Sequence, residues 1–106
     1  MTDEKVIQAA IRELSVLFSD TRDPAEIESF LYSILTKTEI HAIGTRWTLV
    51  KEIAEGTTQR EIARKYSLSL CKITRGSREL KKPDSPFRKM LDRLEKLPAA
   101  NLPASE

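Results

Sequence analysis

GTTQREIARKYSLSLCKITRGSREL, residues 56–80, reads as two short helices joined by a tight corner. Gly56 closes the helix before it, because glycine tolerates the left-handed backbone of a helix C-terminus. Thr58 opens the next one. Its hydroxyl can accept a backbone N–H while Glu61 reaches back to the Thr58 N–H, which is a capping box. Ile62 and Tyr66 lie four apart on one face, with Ala63 beside them. Ser67-Leu68-Ser69 makes the corner, and Leu68, its one apolar residue, is expected to fill the angle. Ser69 caps the second helix, Leu70 to about Arg78, where Leu70, Ile73 and Ser77 recur at helical spacing and form the expected buried set. Two helices of this length on a three-residue joint match a helix-turn-helix, at about 58–78.

The outward positions of the second helix are Cys71, Lys72, Thr74, Arg75 and Arg78, and no acid joins them before Glu79. Such a face fits a major groove, where Lys and Arg meet guanine acceptors or phosphate and Thr meets a hydrogen-bonding edge or a thymine methyl. The competing interpretation is an ordinary helical hairpin with a solvated basic face. Charge distribution favours the groove. Residues 57–89 carry ten Lys/Arg against three acids, a net +7. The whole chain is only +2, so the remainder stands at −5. The basic excess coincides with the helix-turn-helix, as phosphate binding requires.

Upstream, residues 1–19 read as an amphipathic helix, with Val6, Ile7, Ala10, Ile11, Leu14, Leu17 and Phe18 at three- and four-residue steps. Asp23 caps a second helix with Pro24 at its first position, where a missing N–H costs nothing. Its stripe is Ile27, Phe30, Leu31, Ile34 and Leu35. Thr36 and Glu39 form another capping box and open a third helix that runs to Glu55. Downstream, Lys81-Lys82-Pro83-Asp84 is a linker. Ser85-Pro86 starts a last helix lined by Phe87, Met90, Leu91, Leu94 and Leu97, and the tail 98–106 is expected to be disordered. The result is six helices, no strand signal, no repeat, and one helical domain over 1–97.

Several classes fall away. No apolar run is long enough to span a membrane, and MTDEKVIQ lacks the basic-then-apolar order of a signal peptide. One cysteine, Cys71, permits no internal disulfide, and with His41 as the lone histidine no metal site is expected. These features suit the cytoplasm. His41 has no carboxylate facing it, since Glu39 is two residues away, so no catalytic residue is assigned and an enzyme is not expected. At 106 residues, 6% aromatic and 32% charged, a monomer has little core to spare. Dimerisation through shared apolar stripes is one solution.

GTTQREIARKYSLSLCKITRGSREL resembles the DNA-binding segment of the tryptophan repressor family, most closely in QRE, in ITRGS and in the Leu80-Lys81 that follows. LTKTEIHAIGTR, residues 35–46, resembles the segment that leads into that family's ligand pocket, through Leu35-Thr36 and Gly44-Thr45-Arg46. The resemblance covers residues 35–81. It implies an all-α, six-helix, intertwined dimer that binds a palindromic operator as a repressor. Its corepressor would be a small aromatic molecule, L-tryptophan or a related indole, with no other cofactor. Arg46 and Arg75 match two arginines that sandwich an indole, and planar guanidinium does stack on aromatic faces. Thr36 matches a residue that helps hold the ligand carboxylate, and Gly76 matches a glycine where a side chain would meet the ring. Leu35, Leu49 and Glu79 complete the implied ligand set. The expected DNA-binding set, taken from the two helices themselves, is Gln59, Arg60, Leu70, Cys71, Lys72, Thr74, Arg78 and Lys81.

The chain departs from the family in two places. Glu79 stands where Ser is usual near the ligand amino group, and the turn before Thr58 is one residue shorter. Glu79 lies four residues beyond Arg75 on the same helix face. It can therefore pair with a ligand ammonium, or with Arg75 itself. A regulator that answers another indole, or no ligand, remains open. So does a helical adaptor whose basic face meets an acidic protein.

Overall fold

The computed structural model describes residues 3–98 and Leu102. Six helices account for most of them: α1 (Glu4–Asp20), α2 (Pro24–Ile34), α3 (Lys37–Ala54), α4 (Gln59–Tyr66), α5 (Leu70–Lys81) and α6 (Pro86–Lys96). No strand occurs among the described residues. The tail expected to be disordered lies outside them, apart from Pro98 and Leu102.

Helix starts follow the side-chain caps. Asp3, Asp23, Thr58, Ser69 and Ser85 each accept a backbone N–H from the first turn of the helix they precede. At α3 the capping box forms in full: Glu39 N–H donates to Thr36 Oγ1 at 3.1 Å and Thr36 N–H donates to Glu39 Oε1 at 2.8 Å. At α4 only half of it forms. Glu61 N–H donates to Thr58 Oγ1 at 3.2 Å, but the Glu61 carboxylate turns away to pair with Arg64. A charged partner three residues on outcompetes one backbone N–H.

The chain divides into two compact units, Met1–His41 and Ala42–Glu106. In the first, Phe18 and Phe30 meet edge to face, 5.7 Å between ring centres and 75° between planes, and join α1 to α2. Neither helix buries a residue fully. Between them runs a groove of about 270 Å³ lined by Leu14, Leu17, Phe18, Thr21, Glu26, Ile27 and Phe30.

The second unit holds the buried core. Leu49 of α3, Ile62 of α4 and Ile73 of α5 form one cluster, with Ile53, Ala63 and the corner residue Leu68 packed on it. Val50, Leu80 and Leu91 form another, joining α3, α5 and α6, with Trp47 and Phe87 against it. Trp47, Leu49, Val50 and Ile53 of α3 thus serve as the spine for three helices. One expectation fails here. Leu70 is 58% exposed, because Leu68 already occupies the angle and nothing lies opposite the first residue of α5. Tyr66 is also exposed, its hydroxyl donating to Glu52 rather than packing inward. In addition α5 runs to Lys81 and not Arg78: no breaker intervenes until Pro83, which holds Lys82 extended.

Gly56 takes φ 92, as a glycine ending a helix should. Ser67 does the same job at the end of α4 without being a glycine, at φ 53 and ψ 41. A Cβ in that region costs about 1 kcal/mol. Ser67→Gly is therefore expected to stabilise the protein by roughly 0.5–1 kcal/mol, the gain being trimmed by the unfolded-state entropy of glycine. A higher urea midpoint at unchanged slope is the measurement.

Candidate nucleic-acid interface and ligand residues

Ile62 and Ile73 are wholly buried, and Ser77 and Leu80 nearly so. These residues fix which sides of α4 and α5 face inward. The opposite sides are then determined. Gln59 and Arg60 on α4, and Leu70, Cys71, Lys72, Thr74, Arg78 and Lys81 on α5, are all exposed. Arg75 is exposed with them. The face is held by buried neighbours on either side of its tips: Lys72 and Thr74 flank Ile73 in sequence, so a rigid anchor separates two outward side chains.

Three ion pairs among the described residues remove cations from this surface. Glu61 holds Arg64. Glu52, only 15% exposed, holds Lys65 at 3.3 Å across 13 residues of sequence, and Tyr66 donates to the same carboxylate at 3.4 Å. Glu79 holds Lys82 at 2.8 Å. Arg60, Lys72, Arg75, Arg78 and Lys81 are in none of these pairs. Within α4 and α5, the cations outside these pairs are thus the exposed ones named above.

All three carboxyl groups sit below the ordinary glutamate value. For Glu52 the largest cause is a hydrogen bond from Thr57, followed by Lys65; for Glu61 it is the hydrogen bond from Arg64. For Glu79 it is the hydrogen bond from Lys82, with the Arg75 charge adding to it. A lowered carboxyl pKa contributes stability above the ordinary value of 4.5 and loses it as pH falls through the lowered one. The carboxylates are therefore charged at neutral pH, and the pairs lose their attraction only as acid protonates them.

The candidate ligand residues fall in both units. Leu35 and Thr36 belong to the first, where Leu35 is half-buried and Thr36 serves as the cap of α3. Arg46, Leu49, Arg75, Gly76 and Glu79 belong to the second. Arg46 and Arg75 are exposed, while Leu49 is buried. A Cβ built on Gly76 would stand 3.2 Å from Leu49 Cδ2 and 3.6 Å from Ile53 Cδ1. Gly76 is therefore constrained by the approach of α5 to α3, a reason that the sequence did not disclose. Glu79 pairs with neither of the partners weighed from sequence but with Lys82. The Glu79-to-Lys82 spacing of three was a legible signal. The Glu52–Lys65–Tyr66 cluster was not, because only the packing of α4 brings it together.

His41 is exposed and Trp47 is half-buried against the Val50 cluster. No group of His, Cys, Asp or Glu among the described residues could hold a metal ion. No helix among them is long and apolar enough to cross a membrane.

The Trp repressor protein family model matches residues 9–95. The chain belongs to the Trp repressor family. Its relatives include a Trp operon repressor homolog of Chlamydia caviae, 38% identical over 81 residues, which is 76% of this chain and 80% of that one. A homolog of the same name from Chlamydia trachomatis serovar D is 40% identical over 65 residues, 59% of this chain and 69% of the relative. One from serovar L2 is 42% identical over 52 residues, 48% of this chain and 55% of the relative. No solved structure matches. As a Trp repressor family member the chain is a repressor-type regulator of transcription and not an enzyme.

Proposed function

We propose that residues 1–97 act in the cytoplasm as a dimeric DNA-binding repressor controlled by a small aromatic corepressor, L-tryptophan before other indoles. One observation carries the DNA part: α5 is pinned by Ile73, Ser77 and Leu80 while its unpaired cations point outward. Lys72 and Thr74 are assigned to bases or bridging waters. Gln59, Arg60, Arg78 and Lys81 are assigned to phosphates, with Leu70 and Cys71 filling the groove between them. Two such helices in a dimer would meet successive major grooves about 34 Å apart. Lys72→Ala should change affinity by roughly 1–3 kcal/mol at one operator position. Arg60→Ala should weaken all sequences alike and flatten the salt dependence. Fluorescence anisotropy on operator variants at two salt concentrations measures both. Wild-type behaviour from both variants would remove α4 and α5 from the interface and favour the adaptor.

The ligand part rests on Arg46 and Arg75 as planar cations, on Leu49 and Gly76 between α3 and α5, and on Glu79. Leu35 and Thr36 are carried by resemblance. Glu79, a carboxylate at neutral pH whose pKa Lys82 and Arg75 lower further, suits an ammonium. A charge-assisted contact of that kind is worth about 1.5–3 kcal/mol. Glu79→Ser should therefore weaken tryptophan binding by roughly tenfold or more, read by calorimetry. Tighter binding of the deaminated indole acid than of tryptophan by the wild type would replace the amino acid with an indole acid as ligand.

A further inference from the structure

We infer that Lys82 is a cation held in reserve by Glu79 and released toward DNA phosphate when a ligand ammonium takes its place. Lys82 Nζ lies 2.8 Å from Glu79 Oε1, and both side chains are well exposed, 58% and 41%. An exposed pair of this kind opens at little cost. The backbone beneath it does not move freely. Lys82 is the C-cap of α5, its N–H donates to the Glu79 carbonyl at 3.3 Å, and Pro83 follows. Only the Lys82 side chain needs to change partner.

The neighbours decide what happens when an ammonium arrives. Arg75 sits one turn before Glu79 on the same helix. A ligand ammonium would make three cations around one carboxylate, and the cation on the longest free stem is the one displaced. Lys82 adjoins Lys81, already assigned to phosphate, and lies at the end of the reading helix. Its release adds one positive charge where the DNA backbone is expected. Taking the ligand reading above as given, the exchange lets the protein sense the amino group of its corepressor and not only the ring. By linkage, DNA that captures Lys82 also frees Glu79 and tightens the ligand.

Operator affinity would be measured against salt with and without saturating L-tryptophan, for wild type, Lys82→Gln, Lys82→Arg and Glu79→Gln. Each phosphate contact adds about 0.9 to the magnitude of the log–log slope. Tryptophan is expected to steepen the wild-type and Lys82→Arg slopes by about one contact, and to leave the Lys82→Gln slope unchanged. Glu79→Gln should show the steeper slope without ligand. The deaminated acid, bound by the wild type, should leave its slope as it was. If the wild type binds no tryptophan by calorimetry, the ligand reading and the reserve cation fall together. If it binds, and Lys82→Gln still gains the full slope, the reserve cation alone is wrong.

Discussion

Ile73→Ala is expected to destabilise the second unit by roughly 2–5 kcal/mol, the range for deleting a large aliphatic side chain from a packed site. Against a typical total of about 5–15 kcal/mol, that is a large share of the stability. Ile73 is wholly buried and joins Leu49 of α3 to Ile62 of α4. Few residues share the load, since this cluster has three buried members. The cavity has little room to collapse, because α5 and α3 already lie so close that a Cβ added at Gly76 would stand 3.2 Å from Leu49 Cδ2. Leu70→Ala, on the same helix but 58% exposed, should move stability by no more than about 0.5 kcal/mol. Urea unfolding of the two variants checks the contrast. It also separates folding from function, because Leu70→Ala is expected to alter DNA affinity with the fold intact while Ile73→Ala alters both. Equal urea midpoints would mean that the inward face of α5 is misassigned.

That contrast marks how far the sequence could be read. The caps were legible because each is a local event: Thr36 with Glu39, Ser69 with the Lys72 N–H, and Ser85 before Pro86 involve residues three apart or fewer. Helical spacing identified Ile62, Ile73 and Leu91 as inward for the same reason. Spacing alone could not tell Leu70 from Ile73, since both fit the stripe; what differs is whether anything stands opposite, and that is a tertiary fact. Tyr66, on the same face as Ile62 by spacing, is likewise decided by a tertiary partner, its hydroxyl donating to Glu52 fourteen residues away. For the candidate sites, the outward set on α5 followed from the motif, whereas the constraint on Gly76 came from Leu49 and the partner of Glu79 had to be seen. A helix end also resisted reading, because α5 stops where Pro83 forces it to, three residues beyond the expected end at Arg78.

The apolar stripe of α1 leads to the other large effect. Ile7, Ile11, Leu14 and Phe18 follow one another at steps of four, three and four and so share a line along the helix. The C-terminal part of that line is covered within its own unit, where Leu14 and Phe18 border the groove against α2 and Phe18 meets Phe30. The N-terminal part is not: Ile7 is 45% exposed and Ile11 59%. The cause is length, since α1 has 17 residues and α2 has 11. Tyr32 and Ile34 of α2 add 64% and 53% exposure to the same unit. A surface this apolar is expected to be covered by a second copy of the chain, in keeping with the proposed dimer. The melting temperature should then rise with protein concentration, because dissociation is coupled to unfolding. Ile11→Glu places a charge in the expected contact and should yield monomer at micromolar concentration by sedimentation, with the concentration dependence gone. Val16→Glu is the control. Val16 is 64% exposed as well, but it lies about half a turn round α1 from the line through Ile7 and Phe18, so its charge would face water. Dimer retained by Val16→Glu and lost by Ile11→Glu assigns the interface to the stripe. A monomeric wild type would instead leave Ile7 and Ile11 exposed in solution and would remove the paired reading helices on which recognition of a palindrome depends.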